Sequence, residues 1–109
     1  MNWIHLNNPQ QLEEIIQTSQ QRPQVIFKHS TRCGISSMAK GRLERSQIPK
    51  DADFYHLDLI ANRSLSAKVA EVFKVPHESP QILVIRNGAC VFSDSHYSIN
   101  MEDISEMVG

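Results

Sequence analysis

The sequence has little of most things that narrow a function quickly. It carries only two cysteines, Cys33 and Cys90, among 109 residues. Together with five scattered histidines they make no recognisable zinc-ligand spacing. Neither sign of charge dominates: 11 basic residues stand against 12 acidic ones. No basic stripe or aromatic platform is present, which argues against a nucleic-acid partner. No apolar run approaches the ~18 residues of a membrane-spanning helix. The opening MNWIHLNNPQ lacks the charged-then-apolar order of a secretory signal. The expected location is therefore cytoplasmic, with no membrane partner. A structural disulfide is disfavoured in that compartment. A cysteine that matters here would matter for its reactivity. Internal repeats, low-complexity tracts and linkers are all missing.

What is present suits one domain over residues 1–109. Hydrophobic residues make up 40% and charged residues 21%, enough to bury a core without staples. WIHL, residues 3–6, is a short candidate strand. Asn8 followed by Pro9 marks a helix start, and Leu12, Ile15 and Ile16 supply its apolar stripe. QVIFKH, 24–29, has an uninterrupted apolar run, the pattern of a strand covered on both faces. Ile35, Met38, Ala39 and Leu43 predict a second helix that Pro49 ends. DFYHLDL, 53–59, predicts a strand. Asn62 predicts a cap for a third helix with Leu65, Val69, Val72 and Phe73 inward. QILVI, 81–85, is again continuous. Asn87-Gly88 predicts a tight hairpin turn into ACVFS, with Ile85 opposite Cys90 and Leu83 opposite Phe92. Asn100 predicts a cap for a last helix carrying Ile104, Met107 and Val108. The order is β-α-β-α-β-α-β-β-α. It predicts an α/β domain with a mixed central sheet and helices on both faces.

Cys33 lies between the buried strand and the first turn of the second helix. The opening N–H groups of a helix have no intrahelical partner, and the helix dipole is positive there. Both favour a thiolate. Small polar neighbours, Ser30, Thr31 and Ser36, surround it instead of the apolar packing of an inert cysteine. Arg32, Lys28 and His29 are nearby cations, of which those pointing inward add to the effect; Arg32 fits a solvent-facing position equally well. ESPQ, 78–81, leads straight into a buried strand. A cis peptide at Ser79-Pro80 would present the Ser79 backbone to an extended substrate. Ser36 stands three residues after Cys33, where a dithiol protein would have its second sulfur. A serine can hydrogen-bond a thiolate but cannot displace a mixed disulfide, so the predicted chemistry is one-thiol exchange. Cys90, at the hairpin end among apolar residues, is predicted to be structural. His56 alternates with apolar residues in its strand and reads as packed or hydrogen-bonded. His77 and Glu78 either border a groove or lie in a solvated loop. Asp58 either relays protons beneath Cys33 or caps the strand's exit.

KHSTRCGIS together with HESPQILVI resembles the monothiol bacilliredoxins, small general stress proteins with a thioredoxin-like fold. The resemblance implies a thioredoxin-like domain and removal of bacillithiol, or a similar low-molecular-weight thiol, from mixed disulfides on oxidised proteins. It implies Cys33 as the attacking thiol and Ser36 at the resolving position. Pro80 is then the cis-proline, and Thr31, Arg32 and Ser79 line the site. The small thiol would be a co-substrate, with no tightly bound cofactor or metal, and the protein a monomer. Gly34 departs from the family's usual proline. Glycine loosens the first turn and lets a ligand approach the backbone. CGIS is also similar to the CGFS of monothiol glutaredoxins, which implies an iron–sulfur cluster carrier as an alternative. Those proteins have a Gly-Gly pair after the hairpin, and CVFSDSHYS has none. A redox-inert interaction module is the third alternative.

Overall fold

The computed structural model describes residues 1–109. Its elements follow the expected order: β1 Ile4–His5, α1 Gln10–Thr18, β2 Gln24–His29, α2 Gly34–Arg45, β3 Asp53–Asp58, α3 Arg63–Phe73, β4 Gln81–Arg86, β5 Ala89–Ser95 and α4 Met101–Val108, with a 3-10 turn over His96–Ser98. The five strands lie in the order β1-β3-β2-β4-β5. β1, β3 and β2 are parallel, β4 runs antiparallel to β2, and β5 antiparallel to β4.

The central strand β2 is buried at all six positions. Its alternate residues feed two cores. Val25 and Phe27 join Leu43 of α2, Phe54, Val84 and Ile104 of α4 on one face. Ile26 joins Ile15 of α1, Leu57, Val69 of α3 and Leu83 on the other. Such a strand needs covering on both sides, and each aliphatic side chain so enclosed contributes about 1.5–3 kcal/mol. No helix is long and apolar enough to cross a membrane.

Local signals act where expected at several points. Asn8 Oδ1 accepts the Gln10 N–H at 2.9 Å, and Asn100 Oδ1 accepts the Asp103 N–H at 2.9 Å. Asn87 (φ 52) and Gly88 (φ 78) turn the hairpin, both in the left-handed region that a two-residue turn requires. Other expectations need correction. β1 is two residues long, not four. Asn62 precedes α3 but its side chain does not cap it; Nδ2 donates to the Asp58 carbonyl instead. Met38 and Val72 are exposed, because each lies to the side of the face its helix buries.

The hairpin register also differs. Ile85 faces Cys90 as expected, but Val84, not Leu83, faces Phe92, because the pairing shifts between Val84 and Ile85. Val91 is the extra residue of a bulge and is exposed. A one-residue shift reverses the side on which later residues point. Cys90 therefore packs with Leu83 and Ile85, and Phe92 packs against the opposite core.

Candidate functional site

The parallel and antiparallel pairings bring two loops to one end of the sheet. β2 ends at His29, and Lys28 pairs with Gln81, the first residue of β4. The loop leaving β2 carries Cys33, and the loop entering β4 carries Ser79 and Pro80. Cys33 is the N-cap residue of α2, with extended backbone (φ −112, ψ 118) and no side-chain cap on the helix. Its N–H donates to the Ser30 carbonyl at 3.1 Å, and its carbonyl accepts the Ser37 N–H at 3.1 Å. The first turn of α2 contains no acidic residue. The thiol is partly exposed, and Thr31, Arg32 and Gly34 beside it are exposed. A Cβ built on Gly34 would meet nothing within 4 Å. Open space thus lies over the backbone that follows the sulfur.

Ser36 stands in the first turn of α2, but its hydroxyl bonds to β2 and the loop after it, not to the Cys33 sulfur. It is fully buried, with Oγ 2.6 Å from His29 Nδ1 and accepting the Ser30 N–H at 3.0 Å. Its hydroxyl is committed to these two groups, so it ties the Cys33 loop down to β2. The motif spacing cannot reveal this, because His29 is seven residues away and its ring direction depends on the face of β2. Burial lowers the His29 pKa, assisted by Lys40 and opposed by Asp58 and Glu44. Its ring centroid is 5.2 Å from that of His56, which also lies 5.8 Å from Trp3 and 5.9 Å from His5. His56 Nε2 is buried without a partner. Burial first, then the neighbouring His29, Lys40 and His5, push the His56 pKa down to about 4.

On the opposite face of β2, Lys28 is fully buried. Its Nζ donates to the Ser66 carbonyl and to His77 Nδ1, each at 3.1 Å. Burial brings its pKa from 10.5 down to about 8. His77 is lowered as well, by burial and then by Lys28. The sequence places Lys28 among the cations near Cys33, but its ammonium lies on the other face of the strand, against Ser66 and His77. Which groups receive the ammonium depends on how α3 and the Pro80 loop pack against β2, and residues local in sequence do not carry that.

The Ser79–Pro80 peptide is cis. Pro80 is buried, and its carbonyl accepts the His96 N–H at 3.1 Å. The Ser79 N–H and carbonyl have no hydrogen-bond partner within the chain, and Ser79 Oγ is likewise unpaired. Such a backbone is available to an extended chain laid beside it. Gln81 braces this loop: Nε2 donates to the Pro76 carbonyl at 3.0 Å, and Oε1 accepts the Glu78 N–H. Glu78 also lies 3.4 Å from His96 Nε2. Asp58 resolves in favour of the exit cap. Its Oδ1 accepts the Ile60 and Ala61 N–H groups at 3.1 and 3.3 Å.

Cys90 stands apart. It pairs with Ile85, which also faces Gln24, the first residue of β2. The length of β2 therefore separates it from the Cys33 loop, about 17 Å at 3.3 Å per residue. Its thiol donates to the Phe92 carbonyl at 3.2 Å, and burial raises its pKa. Iodoacetamide in limiting amount at pH 7 should consequently label Cys33 first, by about tenfold or more. Peptide mapping that found Cys90 labelled as fast would contradict this assignment.

Comparison with known proteins agrees with the fold and the motifs. A proposed oxidoreductase with a thioredoxin fold superposes with a TM-score of 0.81 at 31% identity, covering 94% of this chain and 90% of that one. The thioredoxin of Malassezia sympodialis matches with a TM-score of 0.75 at 14% identity, over 98% of this chain and 88% of its own. That of Fasciola hepatica gives 0.71 at 23%, over 95% and 94%. The domain has the thioredoxin fold. The sequence pattern of the monothiol bacilliredoxins, BrxC, matches residues 4–104. With Cys33 at the head of α2, Ser36 in place of a second sulfur and this coverage, the chain belongs to the monothiol bacilliredoxin family.

Proposed function

We propose that this protein removes bacillithiol, or a similar low-molecular-weight thiol, from mixed disulfides on oxidised proteins, with Cys33 as the only attacking sulfur. The Cys33 thiolate attacks the small thiol's sulfur in the mixed disulfide. A new disulfide forms on Cys33, and the client's sulfur leaves as a thiolate that takes a proton from solvent. An outside thiolate then attacks the adduct, forms a disulfide with the small thiol and returns Cys33 to its reduced form. No electrons are gained or lost beyond these exchanges.

The observation that carries this reading is the position of Cys33. It sits at an uncapped helix start, at the same sheet end as the unpaired Ser79 backbone, with the other sulfur at the far end. The first turn of α2 offers N–H groups with no side-chain acceptor beside Cys33. The unpaired Ser79 groups suit a client segment in extended conformation. Thr31, Arg32 and the open space over Gly34 supply the remaining walls.

Incubating the protein with a bacillithiolated client and measuring intact masses tests the proposal. The small thiol should appear on Cys33 as a lasting adduct, and added free thiol should release it. A client that keeps its adduct while Cys33 stays unmodified would end the reading. Brown colour and Cys33-dependent dimerisation after anaerobic reconstitution with iron, sulfide and thiol would instead favour the cluster carrier.

A further inference from the structure

We propose that Lys28 is a positioning residue of the exchange site: through His77 it holds the segment 76–80 in the shape on which a client chain docks. The inference rests on the reading of Cys33 and Ser79 given above, and extends it to a residue that touches neither sulfur nor client.

Lys28 is an unusual residue to enclose. It is among the largest fully buried side chains of the protein, and strand alternation puts it on the face of β2 shared with Ile26, whose core is aliphatic and aromatic. An enclosed ammonium is destabilising unless an opposite charge accompanies it. Here its hydrogen-bond partners are a backbone carbonyl and an imidazole, and no carboxylate is among them. A methionine of similar length would fill the same space without that penalty. Lys28 thus contributes something other than global stability.

The geometry points to the loop. Nζ reaches from the end of β2 to Ser66 in α3 and to His77, 38 and 49 residues away in sequence. An ammonium only donates, so His77 Nδ1 must accept, and the ring proton resides on Nε2. His77 is two residues before Ser79. Gln81, the strand partner of Lys28, holds Pro76 and Glu78. Two adjacent buried side chains therefore grip the segment from below, one by its side chain and one by its backbone. What remains free is the Ser79 backbone. The next residue of β2, His29, secures the other loop through Ser36 on the opposite face. Consecutive residues at the end of one strand thus fix both halves of the site.

Lys28→Met should raise KM for a bacillithiolated client about fivefold, the equivalent of one lost hydrogen bond. Both kcat and the rate of Cys33 alkylation by iodoacetamide should stay within about twofold of the wild type, and the Tm should be unchanged or higher. His77→Leu should behave like Lys28→Met. His77→Asn, which keeps an acceptor near the Nδ1 position, should restore the wild-type KM. Unchanged KM in both Lys28→Met and His77→Leu overturns the proposal. So does a parallel fall of Tm, alkylation rate and kcat, which marks a merely structural lysine. Should Lys28→Met fail to fold, the two His77 variants decide by the same criteria. Should the wild type not act on the client, the proposed function fails, and this inference is judged separately. Imidazole NMR should then show His77 in the Nε2–H form, and Lys28→Met should speed exchange of the Glu78 and Gln81 amides about tenfold or more. Unaltered exchange would overturn it.

Discussion

Replacing Cys33 by alanine should bring client turnover down to the uncatalysed rate, a loss on the order of a thousandfold or more. Replacing Cys90 by alanine should leave it within about twofold. The contrast follows from where the two sulfurs sit. Cys33 is partly exposed at the head of α2, and its loop is pinned from behind by the Ser36 hydroxyl. Cys90 lies a strand's length away, bonded to the Phe92 carbonyl, and burial raises its pKa. It can neither reach an adduct on Cys33 nor ionise readily at neutral pH. Ser36 cannot take the resolving role, since a hydroxyl bound to His29 and Ser30 is no sulfur nucleophile. An external thiol must complete each cycle. The measurement is release of the small thiol from a client, followed by mass for wild type, Cys33→Ala and Cys90→Ala. Appreciable turnover by Cys33→Ala, or a collapse in Cys90→Ala with its fold intact, would refute the one-sulfur mechanism.

The second large effect is on stability in acid. His56 is held uncharged by burial and by the cations around it, with its pKa down at about 4 against 6.5 ordinarily. The unfolded chain accepts a proton on this group near pH 6.5, whereas the folded chain resists until about pH 4. Stability is therefore fully present above pH 6.5 and is lost as pH falls toward 4. At pH 5 the loss from this one group is about 2 kcal/mol. His29 and His77, lowered in the same direction, add to it. His56→Phe keeps a ring against Trp3, Phe27 and His29 and removes the titration. It also removes the unpaired Nε2. Urea unfolding at pH 7 and pH 5 should show the wild type losing more stability than the variant by about 2 kcal/mol. Equal losses would show that His56 does not govern the acid response.

A shared cause links this cluster to the site. β2 and β3 run parallel in the register Phe27↔His56 and His29↔Asp58, which places imidazoles side by side under α2. Of the two readings of His56, packed or hydrogen-bonded, the structure shows the packed ring, with Nε2 left without a partner. Nothing in the alternation of that strand indicated that His29 would be its neighbour. The same limit applied to Asp58, whose two readings were separated by its contacts with the following turn.

The amino-acid order by itself determined what depends on neighbours a few residues apart. The succession of strands and helices, the enclosed runs of β2 and β4, the turn at Asn87-Gly88, the caps at Asn8 and Asn100, and Cys33 at the head of α2 were all legible there. Each rests on local backbone preference or on the period of apolar residues, which act within one or two turns of chain. The tertiary structure alone decided the bulge at Val91 that sends Phe92 to the other core, the tie between Ser36 and His29, the imidazole cluster, and the burial of Lys28 beneath the Pro80 loop. These depend on which strands lie side by side and in what register. A polar residue at the end of an apolar strand looks the same in sequence whether water or a distant carbonyl receives its hydrogen bond.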